Sequence, residues 1–137
     1  MKYFLILFFM IGLMGCEKFS TNVDVNVNSA FTVKEGAYFK VFNFKWYLKN
    51  IEDNRCPRDV NCIRAGEALV DLVITNSEVT DFHMELCVGP DCNKRPNFYT
   101  FSVSGIKYKL ILVSVDPFPQ SSGGSQRKTA TFKLIVE

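Results

Sequence analysis

The sequence predicts an all-β domain, an antiparallel β-sandwich of about seven strands with an immunoglobulin-like architecture. Apolar and polar residues alternate along most of the chain after residue 30, as in half-buried strands. Turn residues recur at the spacing typical of sandwiches, and no segment keeps an apolar period of 3.6 residues. A small closed β-barrel is the alternative. The Cys-Trp-Cys arrangement of true immunoglobulin domains is absent, so the expected likeness is one of architecture.

The first two predicted strands precede residue 51. Residues 31–34 form a short strand that ends at a Glu-Gly turn. Residues 37–50 are predicted as one long aromatic strand, with four side chains on one face: Phe42, Phe44, Trp46 and Leu48. Phe39 and Val41 have the opposite parity, which predicts a β-bulge at 40–42.

Five further strands are expected at 65–75, 79–88, 98–103, 106–115 and 129–136, with a Ser-Gly turn joining the third and fourth of these. Loops are expected at 51–63, 89–97 and 117–128. The residues predicted to point inward are Ala68, Val70, Leu72, Ile74, Phe82, Met84, Leu86, Val88, Ala130, Phe132, Leu134 and Val136.

The composition fits a single globular domain. The 137 residues are 47% hydrophobic and 22% charged, which excludes a wholly disordered chain. Sixteen basic and 14 acidic residues give a net charge of +2, and this is no footprint for nucleic-acid binding. The single histidine leaves no multi-histidine metal site and few routes to acid–base catalysis.

The N-terminus reads as an export signal. Lys2 precedes an apolar stretch at 4–13, which has the length of a signal-peptide core and is too short to span a bilayer. The stretch ends in Leu-Met-Gly-Cys, which resembles the lipobox of bacterial lipoproteins, with Cys16 as the lipidated residue. An ordinary signal peptide that happens to end at a cysteine is the alternative.

This reading divides the chain into a signal peptide at 1–15, a lipidated tether at 16–30 and the sandwich at 31–137. Several acyl chains give a durable membrane anchor, so we expect the protein in the bacterial cell envelope. We expect the outer membrane rather than the inner one, although Glu17 does not decide between them. The alternation of Val23, Val25 and Val27 leaves an edge strand as an alternative to the last part of the tether.

Four cysteines remain after lipidation of Cys16, an even number in an exported chain. Each of the pairs Cys56/Cys62 and Cys87/Cys92 brackets a proline, and such a turn brings its ends within disulfide distance. We therefore expect the two local disulfides, as is usual in an oxidising compartment. A four-cysteine metal site is the alternative, although zinc sites usually have tighter spacing.

The segment Asp53 to Ala68 is the most distinctive in the chain. It contains Arg-Cys-Pro-x-x-Val-x-Cys-x-x-Ala-Gly-Glu-Ala and resembles a block in small secreted proteins and lipoproteins of bacteria whose function is unknown. Three features depart from that family: Asn54 replaces a serine, Arg64 stands where tryptophan is common, and the Cys87/Cys92 pair is an addition. The resemblance implies a fold and an exported location, and it carries no activity.

Three arginines lie within or beside the first cysteine pair: Arg55, Arg58 and Arg64. Asp53, Asp59 and Glu67 lie in the same stretch, so these charges can pair among themselves. The three arginines are also the candidate partner-binding residues, because a disulfide-held loop loses less entropy on binding and arginine is a frequent hot-spot residue. A protease inhibitor presenting the Arg55–Cys62 loop is a second functional hypothesis.

Catalytic chemistry is not expected. His83 is predicted as a half-exposed strand residue, no Gly-x-Ser-x-Gly motif is present, and no glycine-rich stretch has the ending of a phosphate-binding loop. Adjacent carboxylates such as Glu52 and Asp53 keep a hydrolase as a remote alternative. Tyr38 and Tyr47 could form an outward platform for a carbohydrate or an apolar ligand.

The sequence thus predicts a lipid-anchored binding or structural module that is not an enzyme and needs no cofactor or metal. Its expected contacts are the membrane, through the lipid, and an envelope protein or small ligand. Nucleic acid is not among them. The identity of the ligand and the oligomeric state are left open.

Overall fold

A computed structural model describes residues 23, 25–78, 80–124 and 126–137. Within this part of the chain the protein is all-β, with two four-stranded antiparallel sheets and no helix. The strands are β1 (Ala30–Lys34), β2 (Tyr38–Val41), β3 (Phe44–Asp53), β4 (Ala68–Thr75), β5 (Phe82–Val88), β6 (Phe98–Val103), β7 (Ile106–Asp116) and β8 (Thr129–Val136). The predicted sandwich is confirmed.

One sheet has the order β2-β3-β4-β5 and the other the order β1-β8-β7-β6, so the two sheets do not close into the alternative barrel. Their facing side chains form one core, in which Phe39 stacks between Trp46 and Phe132 at centroid distances of 5.8 Å each. The largest residues of this core are almost wholly buried: Trp46, Phe39, Phe132, Leu48, Leu72, Leu86, Leu110, Leu112 and Leu134.

The predicted long strand at 37–50 is wrong. It is a hairpin in which Val41 pairs with Phe44 across a two-residue turn, and Phe42 in that turn has a φ of 56°. The reversal explains the change of parity, because it puts Phe39 and Trp46 opposite each other on the same face. The predicted bulge at 40–42 is therefore absent, and a register shift lies between Leu48 and Asn50 instead.

Strand ends also differ from the prediction. Residues 51–53 belong to β3 rather than to a loop, and Ile51 is buried. Phe82 and Val136, which were expected to point inward, are 44% and 50% exposed, because they lie at strand ends, where the sandwich no longer covers them. Met84 and Val88 are only half-buried. The other inward predictions on β4, β5 and β8 are confirmed.

The β6–β7 hairpin is as predicted. Ser104 and Gly105 have φ values of 51° and 79°, and two positive values are what a type I′ hairpin turn requires. Glycine and serine are the short residues that such a turn accepts.

The N-terminal approach to the sandwich is described from Val23, apart from residue 24. Val23 and Val25 are half-buried against the core without forming a strand, and the Asn28 N–H donates to the Leu134 carbonyl at 2.7 Å. The predicted signal peptide and Cys16 lie outside the described residues. No helix in the described part of the chain is long and apolar enough to cross a membrane.

All six strand pairings and both disulfides lie within residues 30–136. Each sheet is formed inside this segment, and among the described residues outside it Val23 and Val25 pack against the core. The described residues from Val23 onward therefore contain every strand pairing and both disulfides that the structure shows.

Candidate functional site

Four connections meet at one end of the sandwich, which we call the loop end. They are the turn at 35–37 and the loops at 54–67, 89–97 and 117–128. Because consecutive strands run in opposite directions, these connections alternate with the short hairpin turns at the other end. Backbone hydrogen bonds join neighbouring connections, for example from the Glu35 N–H to the Lys128 carbonyl at 3.0 Å.

Both predicted local disulfides are present, Cys56–Cys62 and Cys87–Cys92, with Cα–Cα distances of 5.9 and 5.8 Å. Cys87 is buried at the end of β5, whereas Cys62 is exposed. The alternative metal site would require free thiolates, and these four sulfurs are bonded in pairs. The described residues contain no cluster of three or more His, Cys, Asp or Glu side chains that could hold a metal ion.

The Cys56–Cys62 and Cys87–Cys92 disulfides constrain the loops at 54–67 and 89–97, which we call the first and second stapled loops. A largely buried ion network lies where β3 enters the first stapled loop. The Asp53 carboxylate accepts hydrogen bonds from Nε and Nη2 of Arg55, at 2.7 and 2.8 Å, and from Nζ of Lys128, at 2.9 Å. Arg55 Nη2 also donates to the Val115 carbonyl at 2.8 Å, and Lys128 Nζ donates to the Pro117 carbonyl at 2.7 Å. The network thus joins both sheets.

The charge state of Asp53 follows from two opposed effects. Burial of the carboxyl raises its pKa, because the charged form loses hydration. The hydrogen bonds from Arg55 and Lys128, together with the positive charge of Arg55, outweigh burial, so the pKa of Asp53 is lowered. The side chain is only 3% exposed and remains ionised in neutral solution, fully engaged by its two partners.

Phe118 connects the loop at 117–128 to the first stapled loop. The guanidinium carbons of Arg55 and Arg58 lie 4.2 and 4.7 Å from its ring centroid, which is cation–π distance. The Arg58 N–H also donates to the Pro119 carbonyl at 3.4 Å. These contacts hold the two loops together as one surface.

Asp59 and Ser121 make a second connection between the same loops. The Ser121 N–H donates to Asp59 Oδ1 at 2.9 Å, and its hydroxyl donates to Oδ2. These hydrogen bonds lower the pKa of Asp59, since they favour the charged carboxylate.

Asp91 connects the two stapled loops. Its Oδ2 accepts the Gly66 N–H at 2.6 Å and lies 3.4 Å from Arg64 Nε. Gly66 has a φ of +78°, and a Cβ there would lie 2.8 Å from the Arg55 Cα. Only glycine therefore permits this close approach of backbone to backbone.

The structure separates the three predicted arginines. Arg55 has a side chain only 10% exposed and is committed to Asp53, so it supports the loop rather than offering a contact. Arg58 is exposed beside Phe118, and Arg64 is 68% exposed. Arg55 and Arg58 share the Phe118 ring, whereas Arg64 lies with Asp91.

The first stapled loop carries two exposed apolar residues that the sequence reasoning did not select. Val60 is 44% exposed and Ile63 is fully exposed. We call Arg58, Val60, Ile63 and Arg64 the loop tip. The signal was present in the sequence, because these two β-branched residues on either side of Cys62 belong to no alternating strand pattern.

A cavity of about 470 Å³ lies under the loop at 117–128. Its polar lining includes Glu35, Asp53, Gln120 and Lys128, but Asp53 is saturated, and Glu35 Oε1 accepts the Ile51 N–H at 3.0 Å. Glu52, the other member of the carboxylate pair noted in the sequence, instead accepts a hydrogen bond from exposed Asn54.

The two tyrosines predicted to form an outward platform for a ligand instead contact each other and a neighbouring lysine. The rings of Tyr38 and Tyr47 stack on each other at 4.5 Å, and Lys45 Nζ lies 4.3 Å from the centre of the Tyr38 ring. His83 is an exposed strand residue, as expected, and pairs with Val73.

Comparison with protein-family models, curated proteins and solved structures finds no match to this chain.

Proposed function

We propose that the protein is a lipoprotein of the bacterial cell envelope whose sandwich serves as a non-catalytic binding module. Residues 1–15 would direct export and Cys16 would carry the acyl chains, in the outer membrane rather than the inner one. The lipobox-like ending at Cys16 supports this location, as does the resemblance of residues 53–68 to a block in exported bacterial proteins. Two disulfides are also typical of such a compartment.

The loop tip is the proposed binding surface. The observation that carries the proposal is the full exposure of Ile63, which directly follows the disulfide-bonded Cys62, together with the 44% exposure of Val60 inside the disulfide-closed turn. Exposed Arg58 and Arg64 flank these apolar side chains. The complementary partner is an envelope protein with an apolar depression bordered by carboxylates.

The packing behind the tip supports a binding role. Phe118 and Ser121 fix Arg58 and Asp59 from one side, and Asp91 fixes Gly66 from the other. A surface that is rigid before it meets its partner loses little conformational entropy on binding. Arginine beside a buried apolar anchor is also a common composition of interface hot spots.

Site-specific photo-crosslinking in the producing cells tests this surface. A benzophenone amino acid at position 63 should yield a discrete protein adduct, and Arg58→Glu with Arg64→Glu should remove it. Ile106 is the matched control, because it is an isoleucine that is 48% exposed at the opposite end of the sandwich. Equal adducts at 63 and 106, or an adduct that survives both charge reversals, would contradict the proposal.

Lipid anchoring is tested separately. Replacement Cys16→Ser should remove the added mass of the acyl chains and prevent signal-peptide processing. An unchanged mature mass would exclude Cys16 as the lipidated residue.

The protease-inhibitor hypothesis is less well supported by the loop geometry. The Val60 N–H donates to the Pro57 carbonyl at 3.4 Å, so Arg58 lies in a turn, and its guanidinium contacts Phe118. A protease cleft binds an extended segment with a free side chain. Inhibition of a trypsin-like protease that is lost in Arg58→Ala would reverse this preference.

A further inference from the structure

The end of the sandwich opposite the loop end, which we call the hairpin end, carries exposed apolar side chains at two of its turns. Phe42 in the β2–β3 turn is 45% exposed, and Ile106 directly after the β6–β7 turn is 48% exposed. The Phe42 ring contacts that of Tyr108 at a centroid distance of 4.7 Å, so the two turns are neighbours although they belong to different sheets. Exposed apolar side chains grouped at one place mark a contact surface.

The turn itself does not require an aromatic residue at position 42. Phe42 is the first of two residues between the paired Val41 and Phe44, and it has a φ of 56°. Glycine is the usual residue at such a position, and phenylalanine rarely adopts a positive φ. Backbone outliers of this kind cluster at functional sites, and this one leaves nearly half of an apolar ring in water.

Lysines flank the two turns on the outer faces of both sheets. Lys40 and Lys45 are exposed and lie directly opposite each other in the β2–β3 pairing, where like charges repel. Within the described part of the chain neither of them is in a salt bridge. Lys107 is exposed on the other sheet, next to Ile106. We call Lys40, Phe42, Lys45, Ile106 and Lys107 the hairpin patch.

The acidic residues described at the hairpin end lie beside the patch or are already paired. Glu78 and Asp81 belong to the turn between β4 and β5, and β3 separates both of these strands from β2. Glu137, after the end of β8, pairs with Lys109 at 2.6 Å. The hairpin patch therefore presents positive charges around two apolar side chains. An anionic bilayer complements both features, because its acyl region accepts apolar side chains and its phosphates attract lysines.

The course of the chain brings the same end close to a membrane anchor. Asn28, from which the chain enters β1, lies at the hairpin end. Val23 packs against the core and follows Cys16 by seven residues, which span at most about 25 Å when fully extended. Acyl chains on Cys16 would therefore keep the surface of the sandwich near the bilayer that holds them.

We propose that the hairpin patch docks on the anionic bilayer that holds the lipid anchor. Phe42 and Ile106 enter the region below the headgroups, and the three lysines of the patch contact lipid phosphates. This inference rests on the proposed lipidation of Cys16 and adds a second contact with the same membrane. Docking at this end leaves the loop tip in water, where an envelope protein can reach it.

The full chain, purified with its acyl anchor and reconstituted into vesicles, tests this orientation. A polarity-sensitive fluorescent amino acid at position 43 reports on the hairpin end, and the same probe at position 61 reports on the loop tip. The positions are matched, because Asn43 and Asn61 are both exposed and lie outside the strands. In vesicles of phosphatidylethanolamine and phosphatidylglycerol, lipids brominated on their acyl chains should quench the probe at 43 several-fold more than the probe at 61.

Charge variants test the attraction to phosphate. Lys40→Gln with Lys45→Gln should reduce the quenching at position 43 several-fold, and so should vesicles of uncharged phosphatidylcholine or a high salt concentration, which screens exposed charges. Lys49→Gln with Lys94→Gln removes the same charge from exposed residues outside the patch, and it should leave the quenching unchanged.

An apolar pair tests insertion. Ile106→Ser should reduce the quenching at position 43, because it removes an apolar side chain from the patch. Val113→Ser is the matched control, since Val113 is 49% exposed on β7 away from the turn. All the substituted side chains are exposed, so each variant should keep the thermal unfolding transition of the wild type.

Four results would overturn the proposal. The first is an acylated protein that floats with the vesicles while the probe at 43 stays unquenched, which would leave the proposed anchoring intact. The second is greater quenching at 61 than at 43, which would place the loop tip on the bilayer. The third is an equal effect of the two lysine pairs or of the two serine substitutions. The fourth is a mature mass without acyl chains, which would overturn the proposed anchoring as well.

Discussion

Arg55 donates two hydrogen bonds to the carboxylate of Asp53, from Nε to Oδ1 at 2.7 Å and from Nη2 to Oδ2 at 2.8 Å. The two residues are separated by a single position, at the point where β3 becomes the stapled loop. Because Arg55 also donates to the Val115 carbonyl of the other sheet, this pair fixes both the course of the loop and the approach of the sheets.

Asp53→Asn should destabilise the fold by about 3 kcal/mol, because it leaves the buried guanidinium of Arg55 without its charged partner. Urea unfolding at neutral pH measures the change. Glu137→Gln is the control, since Glu137 pairs with Lys109 at the surface and such pairs contribute little. Equal effects of the two substitutions would show that the Asp53 network is not structural.

The same carboxylate predicts an acid-dependent loss of stability. The pKa of Asp53 is lower in the folded protein than in the unfolded chain. Its contribution to the free energy of unfolding is therefore fully present above the unfolded pKa of about 3.9 and disappears as the pH falls through the folded pKa. The stability difference between the wild type and Asp53→Asn should therefore shrink below about pH 4. Urea unfolding across the acid range measures it, and a constant difference would contradict the assignment.

Gly66→Ala should lower the free energy of unfolding by about 3 kcal/mol, because the backbone there is left-handed and a new Cβ would clash with the Asn54 carbonyl and the Arg55 Cα. Gly36→Ala is the matched control, because Gly36 has a similar φ of +81° with no atom within 4 Å of the added Cβ. We expect it to cost about 1 kcal/mol. Thermal unfolding of both variants separates the steric effect from the backbone effect, and equal losses would exclude a steric effect at Gly66.

The two disulfides should contribute differently to the free energy of unfolding. Replacing Cys56 and Cys62 by serine should lower it by about 2 kcal/mol and broaden the NMR resonances of the loop tip. Replacing Cys87 and Cys92 should cost more, because Cys87 is buried and a buried serine hydroxyl needs a partner.

Alkylation followed by intact-mass measurement checks the pairing itself. Native residues 17–137 should gain no alkyl group until reduction, after which four should add. Reaction of any thiol before reduction would show that the disulfides are not formed.

Strict alternation made much of the fold predictable. On β4, Ala68, Val70, Leu72 and Ile74 are all buried as expected, because a sheet with one covered face permits only one register. The Ser-Gly turn between β6 and β7 was equally readable, since its residues suit two positive φ values.

The turn at Phe42 could not be read in the same way. A change of parity is produced equally by a bulge and by a two-residue turn, and phenylalanine rarely adopts a positive φ. The ring of Phe42 lies 4.7 Å from that of Tyr108 in the other sheet. This contact is distant in sequence and could not be predicted from the local pattern.

The parts of the site that are local in sequence were predictable, and its long-range contacts were not. The stapled loops follow from the cysteine spacing, and Asp53 and Arg55 are close enough in sequence to suggest a pair. Their third partner, Lys128, is 75 residues from Asp53, and Phe118 comes from another loop. Only the tertiary structure shows that Arg55 is buried and that Arg58 and Arg64 remain exposed.

The chain enters the sandwich at Asn28, at the end opposite the loop tip, because β1 runs from there to the turn at 35–37 of the loop end. If the acyl chains sit on Cys16, the sandwich is a spacer that holds Ile63 well above the lipid headgroups. The tip would then face away from its own bilayer. Its partner would have to approach through the aqueous space, from a neighbouring envelope layer or from outside the cell.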